Sequence, residues 1–112
     1  TRYDYLRVAK AIMDDWKNDT CVGKYLKTIY ERKINKNRKE YKTTQIGRYT
    51  KSYGGQFHLN LVSGKDRNII GMDGYGGQQI VIDLDNSKII VINSVHYGYD
   101  WNKIVHKKLK QK

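Results

Sequence analysis

The chain is 112 residues long, which limits it to one domain or to part of one. Lys and Arg number 22 against 11 Asp and Glu, a net charge of +11 that suits an anionic partner but does not determine the fold. The single Cys excludes an internal disulfide, and the apolar runs are too short to span a bilayer, so we predict no membrane span in this chain.

Two amphipathic helices are predicted at the amino-terminal end. The first covers residues 1 to about 17, where apolar residues recur at three- and four-residue spacing, and Thr1 with Asp4 fits a capping box. The second covers about Gly23 to Lys33 with the same spacing. Residues 34–50 have no apolar periodicity and are rich in Lys, Arg, Asn and Thr, which indicates an exposed connection.

The second half of the chain is predicted to be mostly β-structure. The predicted elements are strands over 56–61, from 69 onwards, over 79–83 and over 88–93, followed by a helix from residue 99 or 100. The last two strands flank a polar turn, which predicts a hairpin, and their continuous apolar runs predict cover on both faces. The sequence therefore predicts an α+β fold with an antiparallel sheet of about three to four strands flanked by helices.

A glycine-rich segment carries a resemblance to a known superfamily. Gly74-Tyr75-Gly76-Gly77-Gln78, followed by an apolar strand, a polar turn and a second apolar strand, is similar to the third active-site motif of serine β-lactamases and penicillin-binding proteins. That motif reads Lys-Thr-Gly in many members and His-Gly-Gly in esterase- and amide-hydrolase-like branches. The final amphipathic helix resembles the one that packs on the sheet in this fold, and the pattern is most similar to the branch that includes the 6-aminohexanoate-dimer hydrolases.

The resemblance implies that residues 1–112 form one segment, the carboxy-terminal part of a β-lactamase-like or transpeptidase-like domain. Such an enzyme cleaves a small-molecule ester or amide through an acyl-enzyme and needs no cofactor. By resemblance, the backbone N–H of Gln78 donates to the oxyanion, and Tyr75, Gly76 and Gly77 contact the substrate. Tyr75 stands where the family has Lys or His, which removes a positive charge that binds a substrate carboxylate.

The superfamily's nucleophile motif, Ser-x-x-Lys, does not occur in these 112 residues. None of the four serines has Lys three residues later; they are Ser52, Ser63, Ser87 and Ser94. We therefore expect this chain alone to be inactive and the nucleophile to lie in the remainder of its hydrolase domain. A degenerate relative that has lost catalysis is the other explanation.

A second hypothesis is a small basic α+β module that binds nucleic acid or another polyanion. The basic run from Arg32 to Lys42 has tyrosines around it, a mixture of side chains that suits the binding of single-stranded nucleic acid. Such basic runs are more often solvated surface. The spacing of the three histidines (His58, His96 and His106) predicts no metal site. Cys21 is predicted to be a half-buried apolar residue rather than a nucleophile.

Overall fold

The structure is a computed structural model that describes residues 1–35, 52–59, 67–74, 77–93, 99 and 101–111. Its elements are α1 (Arg2–Asn18), α2 (Cys21–Glu31), β1 (Ile34–Asn35), β2 (Ser52–Gly54), β3 (Phe57–Leu59), β4 (Ile69–Asp73), β5 (Gln79–Asp83), β6 (Lys88–Ile92) and α3 (Trp101–Lys110). The predicted α+β class with an antiparallel sheet and flanking helices is confirmed. The sheet has six strands rather than three to four, because β1 and β2 are too short for an alternating pattern to be readable in the sequence.

The capping residues explain where α1 and α2 begin. Thr1 accepts a hydrogen bond from the Asp4 amide and the Asp4 side chain returns to the cap, so the predicted capping box is present. The second helix begins at Cys21, two residues before the predicted start. The reason is Thr20, whose hydroxyl oxygen accepts from the Gly23 amide at 3.1 Å and so caps the helix.

The sheet is a meander in which each strand pairs antiparallel with the next one in the chain. The predicted hairpin is confirmed as β5 and β6, with Ile82 opposite Ile89. The prediction of one strand over 56–61 was wrong at its start, because Gly55 and Gln56 both have positive φ (54° and 70°) and form the tight turn between β2 and β3. Residues 60–61 of the predicted strand lie outside the described residues, as do residues 36–50 of the predicted connection.

Each face of the sheet carries a separate apolar cluster. The face covered by α1 and α2 buries Ala9, Tyr30, Leu59, Ile70, Ile82 and Leu84. The face covered by α3 buries Ile69, Val81, Val105 and Leu109. Burial of alternate residues against different helices explains the continuous apolar run of β5, so the predicted cover on both faces is confirmed. Among the described residues no helix is both long and apolar enough to cross a bilayer.

A buried carboxylate fixes the turn between β5 and β6. Asp83 is fully buried and its two oxygens accept from the Asn86 amide (3.2 Å) and the Asn86 side chain (3.1 Å). The guanidinium of Arg67 lies 3.2 Å from the same carboxylate. Since a buried charge is tolerated only when it is paired and hydrogen-bonded, these contacts keep Asp83 in the interior.

Candidate functional site

The glycine-rich segment is the connection between β4 and β5. The Gly74 N–H donates to the Gln78 carbonyl oxygen at 3.0 Å, and the Gly77 N–H donates to the Gly74 carbonyl oxygen at 3.1 Å. Gly77 has φ of 86°, a conformation that residues with a Cβ rarely adopt. The loop is therefore held by its own main chain. Tyr75 and Gly76, two of the three predicted substrate contacts, lie outside the described residues.

Tyr99 anchors this loop from the side of the sheet that α3 covers. Its hydroxyl donates to the Gly77 carbonyl oxygen at 2.7 Å, and its ring packs against the apolar cluster beneath α3. Burial raises the pKa of the Tyr99 phenol above its ordinary value, because the surroundings disfavour the phenolate. Gly77 itself is buried, whereas the next residue, Gln78, is half-buried.

A cavity of about 270 Å³ lies beside the loop. Its lining residues come from α1, β4, β5, β6 and the loop itself: Tyr5, Met72, Asp73, Gly74, Gln78, Gln79, Ile80 and Ile92. The Gln78 side chain folds back over Gly74, since a Cβ at Gly74 would lie 2.6 Å from the Gln78 amide oxygen. The predicted oxyanion residue is thus part of the cavity wall, and Gly77 is not among the lining residues.

Three polar side chains form a row across β2, β3 and β4 next to this cavity. The His58 Nε2 atom lies 3.3 Å from Asp73 Oδ1, and the Tyr53 ring stands edge-on to the His58 ring at 5.1 Å. Tyr53 also donates to the Gln56 side chain at 3.1 Å. Because Asp73 belongs both to this row and to the cavity lining, its carboxylate joins the His58 imidazole to the cavity.

The sequence indicated this row only in part. Alternation with Phe57 and Leu59 predicted that His58 faces solvent or a groove, and the ring is half-buried on the face opposite Leu59. Asp73 was missed, because its contact with His58 joins residues 15 positions apart on neighbouring strands. The only local signal was a carboxylate immediately before the glycine run.

Other candidate residues stand apart from the cavity. Cys21 is exposed rather than half-buried; it is the first residue of α2 and is not one of the buried residues of that helix, which are Gly23, Leu26 and Tyr30. His106 is half-buried on α3, and His96 lies outside the described residues. In the part of the chain that the structure describes, no three His, Cys, Asp or Glu side chains converge as metal ligands would.

The fold and the cavity together define a class: a meander sheet between two layers of helix, with a glycine loop at one end of the sheet. No protein-family model, no curated protein and no solved structure matches this chain.

Proposed function

We propose that this chain is the carboxy-terminal part of a β-lactamase-like serine hydrolase domain that cleaves an ester or amide through an acyl-enzyme. One observation carries the proposal. The residue after the two glycines, Gln78, lies on the wall of a cavity and not inside the apolar core. The proposed chemistry requires a backbone N–H that a substrate carbonyl group can approach, and a residue at a cavity wall meets that requirement better than one in the core.

The reaction proceeds in two similar halves. A serine hydroxyl from the remainder of the domain attacks the substrate carbonyl carbon, and the Lys of Ser-x-x-Lys takes the hydroxyl proton. The carbonyl oxygen becomes an oxyanion, to which the Gln78 N–H and the nucleophile's own N–H donate. Collapse of this intermediate breaks the bond to the leaving group, which takes the proton from the Lys and departs as the alcohol or amine. Water then attacks the acyl carbon and gives its proton to the Lys, and the acid is released when that proton returns to the serine oxygen.

The loop geometry supports a preorganised donor. The turn bonds between Gly74 and the two residues Gly77 and Gln78, with the Tyr99 hydroxyl on the Gly77 carbonyl, restrict the main chain immediately before the Gln78 amide. A donor held in place before the reaction needs no reorganisation when charge develops on the substrate oxygen. Removal of one such donor costs about 3–4 kcal/mol in other enzymes, or about 10²- to 10³-fold in kcat.

The cavity charge restricts the substrate. Asp73 is acidic, and none of the described lining residues is basic. Tyr75 also lacks the charge of the Lys or His that the superfamily has at that position. A neutral substrate therefore fits this cavity better than one that carries a carboxylate next to the scissile bond, because like charges in a partly enclosed site repel.

The oxyanion role is tested with a pair of variants in the hydrolase that contains this chain. Gln78→Pro removes the backbone N–H, whereas Gln78→Ala keeps it and removes only the side chain. We expect Gln78→Pro to lower kcat by about 10²- to 10³-fold and Gln78→Ala to change kcat by much less. Thermal unfolding of both variants serves as the control for folding. Equal kcat values in two folded variants would remove the Gln78 amide from the mechanism.

Covalent labelling tests the proposal that the nucleophilic serine lies outside these 112 residues. A fluorophosphonate probe should label one serine in the parent hydrolase and none in the isolated 112 residues, since the four serines of this chain lack the Lys partner. Labelling of the isolated chain would contradict the proposed position of the nucleophile.

The polyanion-binding alternative is supported by the net charge of +11 and by the exposed lysines at the end of α3. It predicts that the isolated chain binds oligonucleotides with an affinity that falls steeply as salt is raised, because bound cations are released from phosphate. An oligonucleotide affinity that does not change with salt, or no binding at all, favours the hydrolase proposal.

A further inference from the structure

We propose that the cavity beside Gln78 holds the acyl chain of the substrate and that Tyr5, from α1, limits the length of that chain. The substrate is then a neutral ester or amide of an apolar carboxylic acid with a chain of about six to ten carbon atoms. The inference rests on the proposed function, since it assigns a place to the acyl group of that reaction.

The cavity is lined by apolar side chains from three strands of the sheet. Met72 of β4, Ile80 of β5 and Ile92 of β6 all line it, and each of them is only half-buried. A ligand that covers these side chains removes apolar surface from water, which is favourable. Since an apolar cavity of about 150 Å³ is large enough for benzene, the volume of about 270 Å³ found here has room for a chain of about six to ten carbons.

Tyr5 is the one described lining residue that belongs to neither the sheet nor the glycine loop. The capping box at Thr1 sets the start of α1 and so places Tyr5 in its first turn. Ala9, one turn later on the same stripe, is fully buried in the cluster between the helix and the sheet, so Tyr5 lies on the sheet-facing side of α1. Tyr5 is also 44% exposed, which places it at the boundary between the cavity and solvent.

The position of Gln78 connects the cavity to the reaction. In the proposed mechanism the Gln78 N–H donates to the carbonyl oxygen, so the carbon chain attached to that carbonyl starts at the cavity wall. The leaving group must depart to solvent, whereas the acyl chain stays bonded to the serine until water releases it. A cavity with an aromatic ring at its mouth therefore suits the acyl chain better than the leaving group.

The chain-length limit is tested in the parent hydrolase with p-nitrophenyl esters of straight-chain acids, from acetate to myristate. We expect kcat/KM to rise by up to about fourfold for each added methylene, which is the effect of burying that group, and to fall once the chain no longer fits. Tyr5→Ala should move the maximum to a chain longer by about two carbons or more, because removal of the ring enlarges the cavity.

Two matched variants separate the ring of Tyr5 from general effects on α1. Tyr5→Phe keeps the ring and should keep the position of the maximum. Tyr3→Ala removes a ring from a position of the same helix that is 60% exposed and is not among the lining residues, and it should also keep the maximum in place. Thermal unfolding shows whether each variant folds. An unchanged maximum in folded Tyr5→Ala, or an equal shift in Tyr3→Ala, would overturn the inference.

A series of alkyl acetates, in which the alcohol varies and the acyl group does not, tests the choice of the acyl chain. We expect its chain-length profile to be the same in the wild type and in Tyr5→Ala. A response to Tyr5→Ala in this series alone would place the leaving group in the cavity and overturn the inference.

Binding without turnover provides a second measurement, which decides the question if Tyr5→Ala does not fold. In the ¹⁵N-labelled 112-residue chain we expect hexanamide to cause saturable shifts of the amides of Gly74, Gln78 and Ile80. Its affinity should be at least about tenfold higher than that of acetamide, because the longer chain buries four more carbons. Equal affinities for the two amides, or no shifts at these residues, would overturn the inference.

The outcomes distinguish this inference from the hydrolase proposal. A parent protein whose serine reacts with the fluorophosphonate, but whose chain-length profile does not respond to folded Tyr5→Ala, removes this inference and leaves the hydrolase. A parent protein without a reactive serine removes both, even if hexanamide binds to the cavity.

Discussion

Gly23 offers a sharp test of how the two amino-terminal helices pack. It lies in the first turn of α2, where the helix passes against the end of α1. A Cβ at this position would lie 1.8 Å from the Asp15 carbonyl oxygen and 2.6 Å from its carbonyl carbon, where ordinary contact begins at 3.4 Å. The obstacle is backbone, which cannot rotate away as a side chain can. Gly23→Ala therefore requires one helix to move relative to the other.

The cost follows from what that movement breaks. Overpacking costs about 1–3 kcal/mol, and partial loss of the Thr20 cap, which also contacts Asp15, adds about 1 kcal/mol. The helix propensity of Ala is higher than that of Gly, which offsets about 1 kcal/mol of this loss at most. We expect a net loss of about 1–3 kcal/mol in the free energy of unfolding. For a chain of this length that corresponds to a fall in Tm of about 4–12 °C.

The measurement is urea unfolding of the isolated chain, followed by tryptophan fluorescence and circular dichroism. Trp16 is a suitable reporter because its ring stands edge-on to Tyr30 of α2, with 5.7 Å between the centroids. Lys24→Ala, at the exposed neighbouring position, is the control and should be nearly neutral. Propensity alone predicts that Gly23→Ala stabilises the protein, so a midpoint equal to or above that of the wild type would refute the close approach of the helices.

Two further predictions concern a half-buried tyrosine and a buried carboxylate. Tyr99→Phe removes the hydrogen bond to Gly77 and should cost about 1 kcal/mol. Since burial raises the Tyr99 pKa, this stabilisation is complete below the ordinary phenol value of 10.0 and is lost as the pH rises through the higher folded-state value. The free energies of unfolding of the wild type and of Tyr99→Phe are measured with urea at pH 8 and at increasing pH above 10. We expect the difference between them to shrink as the pH rises. A difference that grows with pH would contradict the stabilising hydrogen bond from Tyr99 to Gly77. Asp83→Ala should cost about 3 kcal/mol by leaving the Arg67 guanidinium without its counter-ion and the Asn86 amide without its acceptor, and adding Arg67→Met should restore part of the loss. Chemical denaturation of the single and double variants measures this coupling, and strictly additive losses would show that the two side chains are independent.

Local signals in the sequence predicted the elements whose cause is local. The capping box at Thr1, the helical spacing of α1 and the hairpin of β5 and β6 each depend on residues a few positions apart. The tight turn at Gly55 and Gln56 was not predicted, because its second residue has a positive φ that the residue type Gln does not indicate.

The candidate site was predicted only where it coincides with a run of consecutive residues. The glycine segment marked the loop, and Gln78 lies at the cavity that this loop borders. The contacts of the loop with Tyr99 and of Asp73 with His58 join residues 22 and 15 positions apart, and nothing in the intervening sequence specifies them.

Composition and periodicity, which express hydrophobic burial and backbone preference over short distances, were sufficient for the class of fold, the capping box at Thr1 and the hairpin of β5 and β6. The strand order, the side of the sheet on which each helix packs and the cavity beside Gln78 were decided by tertiary structure. The physical reason is that these features depend on which strands pair and on which side each helix packs. Those choices are made by the whole chain when it closes its loops and buries its apolar faces together.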